Sequence, residues 1–209
     1  MTIELRNVKP AYMSEEEVAS SDIYLHACFS FEKGKKYLLK AASGHGKTSA
    51  LNFIYGNNLN FNGSIAYIPK PPGCVFDLRL KHISYVFQHL NLFPELTVWE
   101  NILLKNRLTH HKTSDEICRL INSVQLLHKK DQLVKELSLG QQQRIAIIRA
   151  LCQPFDFLLL DEPFSHLDEG AAVTVAAIIR QELERSNSGL IVTSLGNNRF
   201  FDYDMILNL

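Results

Sequence analysis

The sequence predicts an α/β protein with a sheet of largely parallel type. Three observations carry this. Short apolar runs alternate along the chain with segments of helical periodicity. One run, Tyr37-Leu38-Leu39, leads through the small-residue loop Ala41-Ala42-Ser43-Gly44-His45-Gly46-Lys47-Thr48 into a helical segment that ends near Gly56. Another, Phe155 to Leu160, reads as a buried strand and ends in Asp161-Glu162-Pro163.

Taken in order, residues 2–8 and 23–31 read as strands, the second because Ile23, Leu25 and Ala27 alternate with Tyr24, His26 and Cys28. Between them Met13 to Asp22 is polar and acidic and reads as a surface loop or hairpin excursion. Tyr12, just before it, is a candidate to stack on a nucleotide base and equally an ordinary surface tyrosine. Glu32-Lys33-Gly34-Lys35 is a tight turn into a strand at 36–40.

The loop that follows has the arrangement that cradles phosphate: strand, small residues, Lys-Thr, helix. Glycines let successive N–H groups curl round one anion, and the helix N-terminus adds its positive end. The candidate residues are Ser43, Gly44, His45, Gly46, Lys47, Thr48 and Ser49. Lys47 supplies a point charge for the outer phosphates and Thr48 a hydroxyl for Mg²⁺. Ala41 stands where the pattern has glycine, which predicts a stiffer turn. The plainer reading is a glycine-rich turn before an ordinary helix.

A strand follows at 63–68, and Pro69-Lys70-Pro71-Pro72-Gly73 breaks regular structure. His82 to Phe87 is a buried strand that delivers Gln88. Thr97 caps a helix through Leu103, and Ser114 a second one whose Ile117, Leu120, Ile121 and Val124 have core spacing. Glu136 to Arg144 opens a helix with Ile145, Ile148 and Cys152 facing the core, Arg144 and Arg149 outside that stripe, and Pro154 ending it. After Asp161-Glu162 the turn Ser165-His166-Leu167-Asp168 precedes a long helix through Arg185, capped by Asp168 or Ser165. Strands at Gly189–Thr193 and Met205–Leu207 complete the chain.

Composition narrows the function classes. A hydrophobic fraction of 46% over 209 residues supports a sizeable core. Lys+Arg 22 against Asp+Glu 22 leaves no basic footprint for nucleic acid. Cys28, Cys74, Cys118 and Cys152 are scattered without a C-x-x-C, which fits reduced cytosolic thiols. The N-terminus lacks the apolar core of a signal peptide, and no stretch approaches the ~20 apolar residues of a membrane span. The expectation is a soluble chain with no appended regulatory domain. His110-His111 and the other histidines lack metal-ligand spacing. His166 reads as a solvated turn residue.

The phosphate loop, Gln88, the stretch Leu137-Ser138-Leu139-Gly140-Gln141 and Asp161-Glu162, in that order, resemble the nucleotide-binding domain of ATP-binding cassette (ABC) transporters over nearly the whole chain. The stretch 137–141 is the specific part. Val86-Phe87-Gln88 with Leu92-Phe93-Pro94-Glu95-Leu96-Thr97-Val98 and Glu100-Asn101 looks like the lipoprotein-release, macrolide-export and cell-division ATPases within it. The resemblance implies a P-loop NTPase core, residues 1–87 and 141–209, with an N-terminal antiparallel β portion. It also implies a helical insertion, 88–140, that carries the signature at its end.

It further implies roles. Asp161 reaches the Mg²⁺ shell and Glu162 polarises the attacking water. Gln88 touches metal or water and reports nucleotide state to a partner. Ser138, Gly140 and Gln141 form a second anion site facing the γ-phosphate held by another subunit, so two chains, alike or different, sandwich two ATP molecules head to tail. Asp168 resembles the interface aspartate of the family and is also a simple helix cap. Ser194 stands where the family has histidine, which predicts slow hydrolysis. Leu92, Phe93 and Leu96 are the expected contacts to a membrane permease, which would hold the subunit at the inner face of the membrane. A rival reading is an ATP-dependent dimerising clamp that barely turns over, motivated by Ala41 and Ser194. Chromosome-maintenance ATPases need a coiled-coil insertion, and translation-associated members usually carry two cassettes. This sequence has neither.

Overall fold

The computed structural model describes residues 1–40, 46–71, 73–194 and 198–209. Along the first half run β1 (Thr2–Pro10), α1 (Glu15–Ser20), β2 (Cys28–Glu32), β3 (Lys36–Lys40), α2 (Lys47–Tyr55), β4 (Phe61–Ile68), α3 (Val75–Lys81) and β5 (Ile83–Val86). The second half adds α4 (Val98–Thr109), α5 (Ser114–Ser123), α6 (Leu139–Ala150), β6 (Phe157–Asp161), α7 (Glu169–Ser186), β7 (Gly189–Ser194) and β8 (Met205–Asn208). Two short 3₁₀ turns, Leu127–Lys129 and Val134–Glu136, lie between α5 and α6.

Five strands form a parallel sheet in the order β5-β6-β7-β3-β8, and β2-β1-β4 form an antiparallel one. β6 is buried along its whole length, as a parallel strand covered on both faces must be. Its side chains alternate between two cores. Leu158 and Leu160 pack with Ile148, Val175 and Ile179 of α6 and α7. Phe157 and Leu159 pack with Leu51 and Ile54 of α2 and with Ile3 and Leu5 of β1. Asp161, two residues beyond Leu159, therefore falls on the α2 face.

Four expectations are corrected. Only Cys28–Glu32 of the region 23–31 pairs as a strand. Ile23 and Tyr24 are buried in a turn instead, with both N–H groups donating to the Ser21 hydroxyl, so a turn anchored in the core imitated alternation. The acidic stretch before it contains α1, with a reciprocal cap between Ser14 and Glu17 and three glutamates in its first turn. Thr113, not Ser114, caps α5, because its side chain is the one that accepts from Glu116 N–H. α6 ends at Ala150 rather than running to Pro154. A proline ring clashes with the carbonyl four residues back, here Ala150, whose oxygen accepts from Ser84 Oγ at 2.7 Å instead.

Candidate functional site

Four C-terminal strand ends lie side by side, which is where open parallel sheets place their ligands. Lys40 on β3 is in register with Ser194 on β7, Thr193 with Asp161 on β6, and Leu160 with Val86 on β5. Lys40 at the end of β3, Gln88 after β5, Glu162 after β6 and Ser194 at the end of β7 thus share one edge. Ala41, Ser43, Gly44 and His45 lie outside the described residues, as do Leu195 and Gly196.

Gly46 is the N-cap of α2, with φ of +84°, a left-handed conformation that glycine adopts without strain. Lys47 opens the helix and is buried, and Thr48 is exposed beside it. Tyr12 lies against this turn: a Cβ on Gly46 would sit 2.7 Å from the Tyr12 hydroxyl. The ring itself is half exposed. Ser49 lies in the first turn of α2 and is partly buried.

Asp161 is 1% exposed. Thr193 Oγ1 donates to its Oδ1 at 2.6 Å, while Oδ2 is buried with no hydrogen-bond partner among the described residues. A buried carboxylate oxygen in that state fits a cation or its hydration shell. Among the described residues no cluster of three His, Cys, Asp or Glu could hold a metal by itself. Mg²⁺ keeps waters and takes one or two carboxylates plus substrate phosphates. Asp161, the Thr48 hydroxyl and the exposed Gln88 are the donors present.

Glu162 has φ of +49°, uncommon for a residue with a side chain. Its N–H is held by Thr193 through both carbonyl and Oγ1, and its carbonyl accepts from Ser165 Oγ. This strained backbone turns the chain sharply off β6. Glu162 and Ser194 line the same cavity, about 260 Å³, with Pro163, Phe164, Asn198 and Phe200.

Ser138 and Gln141 lie at the N-terminus of α6. Gln141 N–H donates to Ser138 Oγ, and Ser138 N–H donates to Gln141 Oε1 at 3.1 Å. Ser138 and Leu139 are exposed, Leu139 to 49%, so this terminus faces outward. Gly140 permits a close approach: a Cβ there would lie 2.6 Å from the His166 carbonyl. His166 is not simply solvated, since its Nδ1 is 3.0 Å from Oε1 of the buried Gln143. Asp168 Oδ1 accepts from Ala171 N–H and caps α7.

Three supporting residues have no strong sequence signal. Thr193 orients both acids. Arg149 donates to the carbonyls of Leu90 and Asn91 at 2.7 Å each and so anchors the loop after Gln88, where both residues have positive φ. Asn101, fully buried, donates to the carbonyls of Phe93, Leu96 and Thr97 and accepts from Phe93 N–H. In that loop Phe93 is 54% exposed, while Leu92 and Leu96 are half-buried.

The family described as ABC transporter matches residues 25–165. The sulfate/thiosulfate import ATP-binding protein cysA of Cucumis sativus is 37% identical over 192 residues, covering 88% of this chain. The chain spans about half of that relative, 51%. The putative hemin import ATP-binding protein HrtA of Staphylococcus aureus (strain Newman) is 32% identical over 193 residues, with coverage of 87% and 85%. The dimeric structure of MJ0796, a bacterial ABC transporter cassette, superposes with a TM-score of 0.78 at 25% identity, covering 99% of this chain and 94% of that one. A post-hydrolysis dimer of the same cassette, bound to ADP and Pi, gives 0.74 at 25% identity, covering 93% and 88%.

Proposed function

The chain belongs to the ABC transporter family, and from that premise we propose that it is an ATPase subunit which drives a membrane permease from the inner face of the membrane. The observation that carries this is the row of four strand ends, which gathers the phosphate-loop helix, Gln88, Asp161-Glu162 and Ser194 at one edge.

Lys47 and the N-terminus of α2 bind the ATP phosphates. Thr48, Asp161 and Gln88 would hold Mg²⁺, which would neutralise charge on the phosphates. Glu162 accepts the proton of the attacking water, held in position by the Thr193 contacts to its backbone. Ser138, Gly140 and Gln141 act on the γ-phosphate of a second subunit. The outward-facing terminus of α6 supports this, as does the dimeric form of the related cassette. The subunits of that dimer are two copies or two different cassettes. Tyr12 stacks on the base beside Gly46.

Residues 1–87 and 141–209 act as the nucleotide-binding lobe and 88–140 as the helical lobe, with Phe93 and its neighbours toward the permease. The motif Val86 to Asn101 favours the lipoprotein-release and macrolide-export group, whereas the relatives compared are named for import. Those relatives are transport proteins, so a clamp without transport is not favoured.

The test is steady-state ATPase activity of the wild type, Glu162→Gln and Ser194→His. Loss of the base is expected to lower kcat about 10²–10⁴-fold. Restoring a cationic donor at 194 is expected to raise it by at least about tenfold. Equal rates for the wild type and Glu162→Gln, with ATP still bound, would refute the enzymatic reading.

A further inference from the structure

The metal-facing acid has a neighbour that the proposed chemistry does not use. Tyr85 lies on β5 in register with Leu159, and Asp161 is two residues further along β6 on the same face. Diagonal neighbours across two strands are within reach of an aromatic side chain. The Tyr85 ring is 5% exposed and locked by other aromatics, 3.9 Å from Phe87 and edge-on to Tyr55 at 5.2 Å. Its hydroxyl is buried and has no hydrogen-bond partner among the described residues, and Asp161 Oδ2 is in the same condition. Among the described residues the two oxygens do not meet in hydrogen-bond geometry.

Two unsatisfied oxygens, one a donor and one an acceptor, in one buried corner are costly separately and complementary together. Phenylalanine would serve the aromatic packing equally well and would bring no orphan hydroxyl. The hydroxyl therefore has a use that packing does not supply. Thr193 already holds Oδ1 of the acid. A second donor at Oδ2 would stop the carboxylate rotating and keep it aimed.

We propose that Tyr85 is a positioning residue for the nucleotide-bound metal, its hydroxyl donating to Asp161 Oδ2 directly or through one water. This rests on reading Asp161 as the acid of the Mg²⁺ shell. Outer partners of this kind orient ligands and commonly change metal affinity 10–100-fold when removed.

The test is Tyr85→Phe, which deletes only the oxygen, with Asp161→Asn as the reference. Mn²⁺ is titrated into each ATP-loaded protein and followed by its electron paramagnetic resonance signal, and ATP affinity is measured separately in EDTA. Tyr85→Phe is expected to weaken Mn²⁺ binding about tenfold or more, to leave ATP affinity in EDTA unchanged, and to keep or raise the thermal midpoint. A purely structural tyrosine would instead lower the midpoint and leave the Mn²⁺ titration unmoved, which overturns the proposal. If Asp161→Asn weakens Mn²⁺ and Tyr85→Phe does not, the tyrosine assignment fails and the metal reading stands. If neither moves it, the metal reading fails and takes the proposal with it. Should Tyr85→Phe not fold, a Mg²⁺·ATP crystal structure decides: Tyr85 Oη bonded to Asp161 Oδ2 or to a shared water supports the assignment, and no such bond overturns it.

Discussion

Two lysines show how burial changes what a charge does. The Lys112 side chain is 1% exposed and its Nζ lies 3.0 Å from Glu182 Oε2 on α7. Its backbone is clamped from both sides by Asn106. Removing one partner of such a pair strands the other charge, so Glu182→Ala is expected to destabilise the fold by about 3–5 kcal/mol. Urea unfolding checks this, and a loss below roughly 1 kcal/mol, the range of an exposed pair, would contradict the burial argument. Lys105 has no carboxylate partner among the described residues and donates to Gln153 Oε1 instead. Burial, then the Arg149 and Arg79 charges, pushes it down from 10.5 to about 8. Below pH 8 both folded and unfolded chains hold that proton, and the full penalty is present. Between about 8 and 10.5 the unfolded chain holds more of it, so stability rises with pH. Against Lys105→Met, the wild type is therefore expected to gain on the order of 2 kcal/mol between pH 7.5 and 10, read from urea midpoints at both values. A gap independent of pH would mean that the ammonium is not desolvated.

At the scale of elements, loops near the site are held by side chains from helices behind them. Arg149 on α6 fixes Leu90 and Asn91, so the loop that presents Gln88 is tied to the helix that begins at Ser138. Both residues have positive φ, and this loop has no regular backbone pairing to replace the guanidinium. Arg149→Gln is expected to speed amide exchange across residues 88–93 by tenfold or more, about 1.4 kcal/mol of local opening, while the amides of α2 change little. Uniform acceleration over the whole chain would show a global rather than a local role. At the other end of α6, Gly140 packs on the carbonyl of His166, and His166 is tied to Gln143. The signature turn and the turn before α7 are thus one mechanical unit within a subunit.

For the whole molecule, the consequence is that half of the proposed chemistry faces outward. Ser138 is exposed and its local contacts are those of a helix cap, worth about 1 kcal/mol. In a Glu162→Gln background ATP is expected to convert the protein from monomer to dimer by size-exclusion light scattering. Adding Ser138→Arg is expected to abolish the dimer while single-chain ATP affinity stays within about twofold. A dimer that survives this change with full ATP occupancy would place the mating surface elsewhere. Among the described residues no helix is long and apolar enough to cross a membrane.

The sequence by itself determined the α/β class, most elements and the order of the motifs, because these depend on local periodicity and on turn residues. Thr97 as the cap of α4 and the apolar run ending in Asp161 are examples. The loop reading of residues 13–22 passed over the Ser14-x-x-Glu17 spacing that marks α1, and α3, also unread, had only the weaker mark of Asp77 three residues after Cys74. Only the tertiary structure decided which strands are neighbours, and hence that Thr193 meets Asp161 from 32 residues away and that Tyr85 shares its corner. It also decided that Ile23 and Tyr24 are buried in a turn and not in a strand. Burial pattern is a local property of a sequence, but the partner that a buried polar atom finds is set by strand order, and no local pattern encodes that order.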